Sequence, residues 1–392
     1  MTSIPRRFRF WAVLVAMLAC ALFLPGLGGG FILDDKPNIV ENVPVHVAEL
    51  TTDNLLYAAY SFQPGNGTRA LPMLSFALDY WRAGLDARAF KVSNLLIHAL
   101  TALALAFFLR RLLEFAQWRP CSAANGALVI ALVWAIHPLQ VSSVLYVVQR
   151  MQTLVTLFMV LALWAYLCMR QAQVEGRRSR RYGILVMLCW VLGFACKEDA
   201  ALLPAYALAL ELTILRFAAA SPRMALAWKR GWLVATVAAV VVYLFMVVPY
   251  YWHWDAYPGR VFSSYERLLT QGRVLAMYIG QVLLPLPCML PFYYDGLVVS
   301  RGWLEPWTTL PAWLFVFGLL ASAWWCRSRR PIFALGVFLF FAGHFMTSNV
   351  ISLELAFEHR NHLPLIGALL VLGDLGMAAW KRWGARPLVL GV

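Results

Sequence analysis

Runs of apolar residues long enough to cross the hydrocarbon of a bilayer, roughly 20 residues for about 30 Å, recur along the whole chain. They fall at about 8–28, 92–113, 125–145, 151–169, 182–196, 200–216, 232–250, 309–326, 332–350 and 363–380, and predict ten membrane-spanning helices. An eleventh stretch, 274–290, is interrupted by Pro285, Pro287 and Pro291. Proline removes a backbone donor and rarely lets a helix continue, so the pattern there predicts a re-entrant or interfacial helix. Polar residues gather in two long connections, a first outer loop at 29–91 and a second outer region at 251–308. The first contains two amphipathic stretches, near 50–62 and 71–83. The expected architecture is an all-α polytopic bundle of 10 to 11 transmembrane helices, with a large first outer loop carrying amphipathic helices. It forms one integral membrane domain over 1–392, with no internal or soluble repeat domain.

Composition removes the soluble alternative. The chain is 62% hydrophobic and 13% charged, too little polar surface to clothe a globule of 392 residues. A formal charge of +14 would point to nucleic acid in a soluble protein. Here the basic clusters sit on alternate loops, from Arg6, Arg7 and Arg9 to Lys381, Arg382 and Arg386. The positive-inside rule makes those loops and both termini cytoplasmic. Sorted this way, the inner side holds 21 Lys and Arg against Glu114 and Glu175, and the outer side 12 against 15 acids. The surplus is a topology signal, and no nucleic-acid partner is expected. The N-terminal RRFRF, with Ala19-Cys20-Ala21 behind it, resembles a signal peptide, but its apolar run approaches a full span. Left uncleaved, it delivers Asp34 and Asp35 to the outer surface. The seven cysteines form no CxxC pair, so neither a disulfide framework nor a metal knuckle is expected.

Asp34-Asp35 follows Gly28-Gly29-Gly30, which ends the first apolar run. Two adjacent carboxylates beside a low-dielectric surface repel, which raises the pKa of at least one and suits a general base. They also suit a divalent cation such as magnesium or manganese, or simply flank a span as solvated charges. The outer cations stand out on a face that the positive-inside rule leaves poor in them. Arg150, Lys197 and Arg360 each fall at the mouth of a span, where a lipid-linked phosphate would need neutralising. Ion pairing with Glu198, Asp199 or Glu358, or snorkelling, is the competing use. His98, His344, His359 and His362 read as hydrogen-bonding and packing residues. Glu358, His359 and His362 lack the i, i+4 pairing of helical zinc motifs. Asn66-Gly67-Thr68 matches a glycosylation sequon but follows Pro64-Gly65, as a turn would. The aromatic string from Tyr250 to Trp254 reads as an interfacial belt or a sugar-stacking platform.

Six blocks in order carry a family resemblance: FILDDKPNIVEN, RALPMLSFALDYW, KVSNLLIHALTALALAFFLRRL, ALVWAIHPLQVSSVLYVVQRMQTLVTLF, GFACKEDAALLPAYAL and FEHRNHLPLIG. Over about residues 8–380 the chain resembles the GT-C fold glycosyltransferases. The likeness is to the membrane part of the transmembrane and tetratricopeptide-repeat O-mannosyltransferases and their bacterial relatives. The resemblance implies a GT-C-like enzyme that moves a sugar from a polyprenyl-phosphate donor to an acceptor hydroxyl, of a protein in the first instance. It implies the outer, periplasmic face of a bacterial inner membrane, with an enzyme of the same fold modifying an envelope glycan or lipid as the alternative. Asp34 or Asp35 is then the catalytic base, and Arg150, Lys197 and Arg360 hold the donor phosphate. Asn42, Arg69, His137, Glu198, Glu358 and His359 fall in the same blocks as supporting or acceptor residues. Three departures bear on sugar and acceptor: Gln152 stands where the family has Asp, Ala70 where it has Pro, and the repeat domain is missing. A lipid-carrier transporter or flippase is the alternative class, but transporters place ionisable groups near the midplane in repeated halves. A non-catalytic scaffold would tolerate replacement of the outer acids.

Overall fold

The computed structural model describes residues 5–62 and 67–383; the sequon's Asn66 and the basic Arg386 lie outside them. The described residues are helical and contain no strand beyond an isolated bridge between Gly302 and Glu305. In chain order the helices are α1 (Arg6–Phe23), α2 (Thr52–Ala59), α3 (Ala70–Ala83), α4 (Ala87–Phe115), α5 (Pro120–Ile136), α6 (Val141–Leu145), α7 (Arg150–Val174) and α8 (Arg180–Phe194). They continue with α9 (Leu203–Leu210), α10 (Pro222–Val242), α11 (Val248–Tyr251), α12 (Ser264–Leu283), α13 (Thr309–Cys326), α14 (Pro331–His344) and α15 (Pro364–Trp383).

Among the described residues, five helical segments are long and apolar enough to cross a membrane: Arg6–Gly28, Ala87–Phe115, Val147–Val174, Pro222–Tyr251 and Thr309–Cys326. A sixth counts if Pro120–Ile136 and Pro138–Leu145, bent by 55°, are one broken span. This is fewer than the ten apolar runs. The run at 125–145 breaks because His137 is extended and Pro138 opens the next turn. The runs at 182–196 and 200–216 hold shorter helices, α8 and α9, separated by the Lys197 turn. Pro331–His344 and Pro364–Trp380 are apolar but short. The stretch at 274–290 starts earlier than its hydrophobicity indicates. Helix α12 begins at Ser264 on a capping box with Glu266, and it stops at Leu283 before the prolines.

The bundle packs around α7, most of whose span is buried against α4, α8 and α9. Helix α10 is the opposite case, with none of its span buried. Helices α14 and α15 cross where Gly336 meets Gly367. A Cβ on Gly336 would stand 2.4 Å from the Gly367 carbonyl, so only glycine permits this approach. That crossing fixes where the residues just before α15 sit.

Candidate active site

One end of the bundle is an open cleft built from turns rather than helix interiors. The loop after α1, the start of α3, the start of α7, the turn after α8 and the segment joining α14 to α15 all contribute to its walls. It has two chambers, of about 600 and 800 Å³. Asp34, Gln149, Glu354, Phe357 and His359 line both, and so stand at their junction. The combined space suits a ligand of sugar-phosphate size or larger.

The Asp-Asp pair divides into two roles. Asp34 is exposed in the cleft, while Asp35 is fully buried. Asp35 accepts N–H groups from Ile32 at 3.0 Å and from Val148 at 2.7 Å, which ties the first loop to the turn before α7. Burial pushes its carboxyl up to about 6, against the pull of those donors and of Lys91. Lys91 closes the other side by donating to the carbonyls of Gly26 at 3.3 Å and Gly29 at 2.7 Å. A side chain on Gly29 would collide with that ammonium. The Asp34 N–H donates to the Tyr146 hydroxyl at 2.8 Å, so the loop is pinned on both sides of the pair. Since both Asp35 oxygens are engaged, the pair does not offer two free carboxylates to a cation. No group of three His, Cys, Asp or Glu side chains converges among the described residues.

The facing wall is cationic. Arg69 has a left-handed backbone, φ 57°, and forks onto Glu198 at 3.2 and 3.0 Å while lying over Phe62. Lys197 donates to Gln152 at 2.6 Å and stands 3.8 Å from Asp199. Burial pushes its ammonium below the usual lysine range. Arg360 donates to the carbonyls of Glu354 at 2.7 Å and Leu355 at 3.3 Å and lies over Phe357. Among the described residues no carboxylate pairs with it, although it is buried. His359 stacks on Phe357, and burial next to Lys197 and Arg360 holds its imidazole neutral, well below the usual histidine range.

Several expected residues lie behind the cleft. Arg150 is fully buried and spends its guanidinium on Asp79 at 2.6 Å, Asn94 at 2.6 Å, the Phe90 carbonyl at 2.7 Å and Ser75 at 3.1 Å. Occupied in this way, and absent from the lining of both chambers, it positions the start of α7. His137 joins the break after α5 to the end of α12, through Leu139 N–H and the Val282 carbonyl, each at 3.2 Å. Asn42 donates to the Asn38 carbonyl at 3.1 Å and to Ser61 at 3.2 Å and closes the first loop. Glu358 points away from both chambers, and burial pushes its carboxyl up to about 7.

Sequence reasoning missed Asp79, Glu354 and the work of α12. Asp79 lies among the buried residues Met73, Phe76 and Ala77 of α3, so an acid on an apolar face was its signal. Glu354 pairs with Arg260 across the chamber junction. Arg267 of α12 donates to the carbonyls of Thr347 at 2.6 Å, Asn349 at 2.8 Å and also Leu353. Gln271 holds Leu355, and the Tyr278 hydroxyl both donates to and accepts from the backbone of Phe357. The region at 251–308, through α12, is thus the clamp for the segment that carries Glu354, His359 and Arg360.

Comparison with curated proteins finds protein O-mannosyl-transferase TMTC4 of Homo sapiens, 27% identical over 204 residues. The same protein of Mus musculus is 26% identical over 206 residues. Each match covers 48% of this chain and 28% of the relative, so this chain corresponds to less than a third of either. No family model and no solved structure matches. The likeness supports a relationship to membrane O-mannosyltransferases over about half of the chain.

Proposed function

We propose that the chain is a membrane glycosyltransferase of GT-C type that transfers a sugar from a polyprenyl-phosphate carrier to an acceptor hydroxyl on the outer face. The observation that carries the reading is the cleft itself, where an exposed Asp34 shares one chamber with Arg69, Lys197 and Arg360. Asp34 takes the proton of the acceptor hydroxyl, whose oxygen attacks the anomeric carbon. The carbon–oxygen bond to the lipid phosphate breaks, and the departing phosphate keeps the electron pair, so the anomeric configuration inverts. Arg360, lacking a carboxylate partner among the described residues, and Lys197, which meets Asp199 at the long distance of 3.8 Å, offset the charge that develops there. Arg69 and Glu198 hold the wall, and Asp35 holds the loop that presents Asp34. The phosphate bond supplies the driving force.

The names of the two relatives make mannose the first sugar to try and a protein hydroxyl the first acceptor. An envelope glycan or lipid acceptor differs only in what enters the second chamber, where Asp34, Asp295 and Glu354 make the lining acidic. The test is mass spectrometry of the detergent-purified protein for copurifying polyprenyl-phosphate sugar. The expected result is a stoichiometric donor lipid; bulk phospholipid alone, under conditions that retain such carriers, counts against the proposal.

A further inference from the structure

A second pocket, of about 610 Å³, lies at the other end of α7. It is formed by the turn after α9, the first turns of α10 and the last turn of α13, and is lined by Arg216, Lys229, Arg327, Leu226, Trp324 and Glu211 among others. Its single acid is already committed. Glu211 accepts from Arg170 at 2.6 Å, from the Tyr166 hydroxyl at 2.7 Å and from the Phe217 N–H at 3.1 Å. The neighbouring acids serve arginines outside the pocket: Glu114 pairs with Arg110, Glu175 with Arg177 and Asp374 with Arg330. Among the described residues Arg216, Lys229 and Arg327 form no ion pair, so three cations face one cavity without a counter-ion.

Two of the three are held in place. Arg216 and Phe217 are consecutive non-glycine residues with left-handed backbones, φ 51° and 57°, and the Glu211 contact to Phe217 N–H fixes that turn. Arg216 then reaches across to the Ser328 carbonyl at 2.8 Å. Arg327 lies over the Trp324 ring at 3.9 Å and donates to the Trp324 carbonyl at 2.5 Å. The surroundings are apolar and unburied. Pro222–Tyr251 has none of its span buried, and Trp324 and Trp325 are exposed beside it, which is the composition of a bilayer boundary.

We infer that this pocket binds the phosphate of an anionic phospholipid at the membrane face opposite the cleft, with the acyl chains lying along α10. A phosphodiester accepts from both arginines and the lysine at once, and a basic pocket between membrane helices is the setting in which such headgroups are held. The site is independent of the sugar-transfer reading.

Native mass spectrometry of the full chain in detergent tests it, with equal amounts of phosphatidylglycerol, phosphatidylcholine or inorganic phosphate added. Wild type is expected to retain phosphatidylglycerol over phosphatidylcholine, and Lys229→Gln with Arg327→Gln to lower that retention about ten- to thirty-fold. Arg178→Gln with Arg180→Gln, on exposed residues just before and at the start of α8, should change nothing. Thermal melting checks that each variant is folded. Should the double variant fail to fold, the single exposed Lys229→Gln decides, with a loss expected. Equal retention of the two lipids, equal loss in the control pair, no loss in Lys229→Gln, or displacement of the lipid by inorganic phosphate would each overturn the inference.

Discussion

Arg150 and Arg170 stand 20 residues apart on α7, about 30 Å along its axis. Both are fully buried, and each meets an acid at 2.6 Å. The ends differ in what surrounds the pair. At Arg170 the network closes: Glu211 is shared with Tyr166 and Phe217, and Trp228 covers the guanidinium. At Arg150 the pair with Asp79 is the rear support of a cleft whose front cations are incompletely matched. Buried ion pairs are weak evidence for net stability, because desolvation opposes the attraction. Their common feature here is that each fixes a turn where charge is presented, Asp34 and its facing cations at one end, Arg216 and Lys229 at the other.

The contrast is tested first by removing one partner from each pair. Arg170→Ala should cost about 3 to 5 kcal/mol, since Glu211 is left buried with only neutral donors, and Arg150→Ala somewhat less, since Asp79 keeps Arg82 at 2.9 Å and the Ser93 hydroxyl at 2.7 Å. Chemical denaturation measures that cost. Only Arg150→Ala should also lower sugar transfer per folded molecule. Arg360→Gln comes next: transfer should fall about 10² to 10³-fold. Its loss of stability should be smaller than that of Arg150→Ala, because no acid is orphaned. Equal losses of stability would show that Arg360 is a structural cation like Arg150.

Glu358 gives a pH prediction. Its carboxyl is raised to about 7 by burial, so the folded state favours the protonated form. The stability this contributes is complete below the ordinary carboxylate range and is lost as pH rises through about 7. The melting temperature of wild type should therefore fall between pH 5 and pH 8, and Glu358→Gln should flatten that dependence. The smallest effect belongs to α10. Exchanging exposed Val237 or Val240 for leucine should change stability by about 0.5 kcal/mol or less, because these side chains face away from the protein. A larger loss would mean that α10 packs against protein rather than lipid.

Much of the cleft was legible because charge at the ends of apolar runs is conspicuous. Asp34, Lys197 and Arg360 were recognisable on that ground. The division between Asp34 and Asp35 was not, because it depends on an N–H at Val148, 113 residues away. Arg150 looked like a phosphate ligand since its acid, Asp79, belongs to an amphipathic stretch that reads as surface. The apolar runs overcounted long helices for a related reason. Hydrophobicity marks burial or lipid contact, and the turn at His137–Pro138 carries too few polar residues to interrupt the run at 125–145, while the runs on either side of Lys197 hold only short helices. Helix α12 was misplaced in the other direction, because Arg267, Gln271 and Tyr278 are polar side chains facing inward, onto backbone.

The most direct measurement compares Asp34→Asn with Asp35→Asn in membranes, scoring both donor-lipid retention and sugar transfer. A catalytic Asp34 means that Asp34→Asn accumulates and retains the donor, yet transfers about 10² to 10⁴-fold more slowly. Asp35→Asn should instead lose activity in proportion to lost folded protein. Normal transfer by a well-folded Asp34→Asn would contradict the assignment of the base.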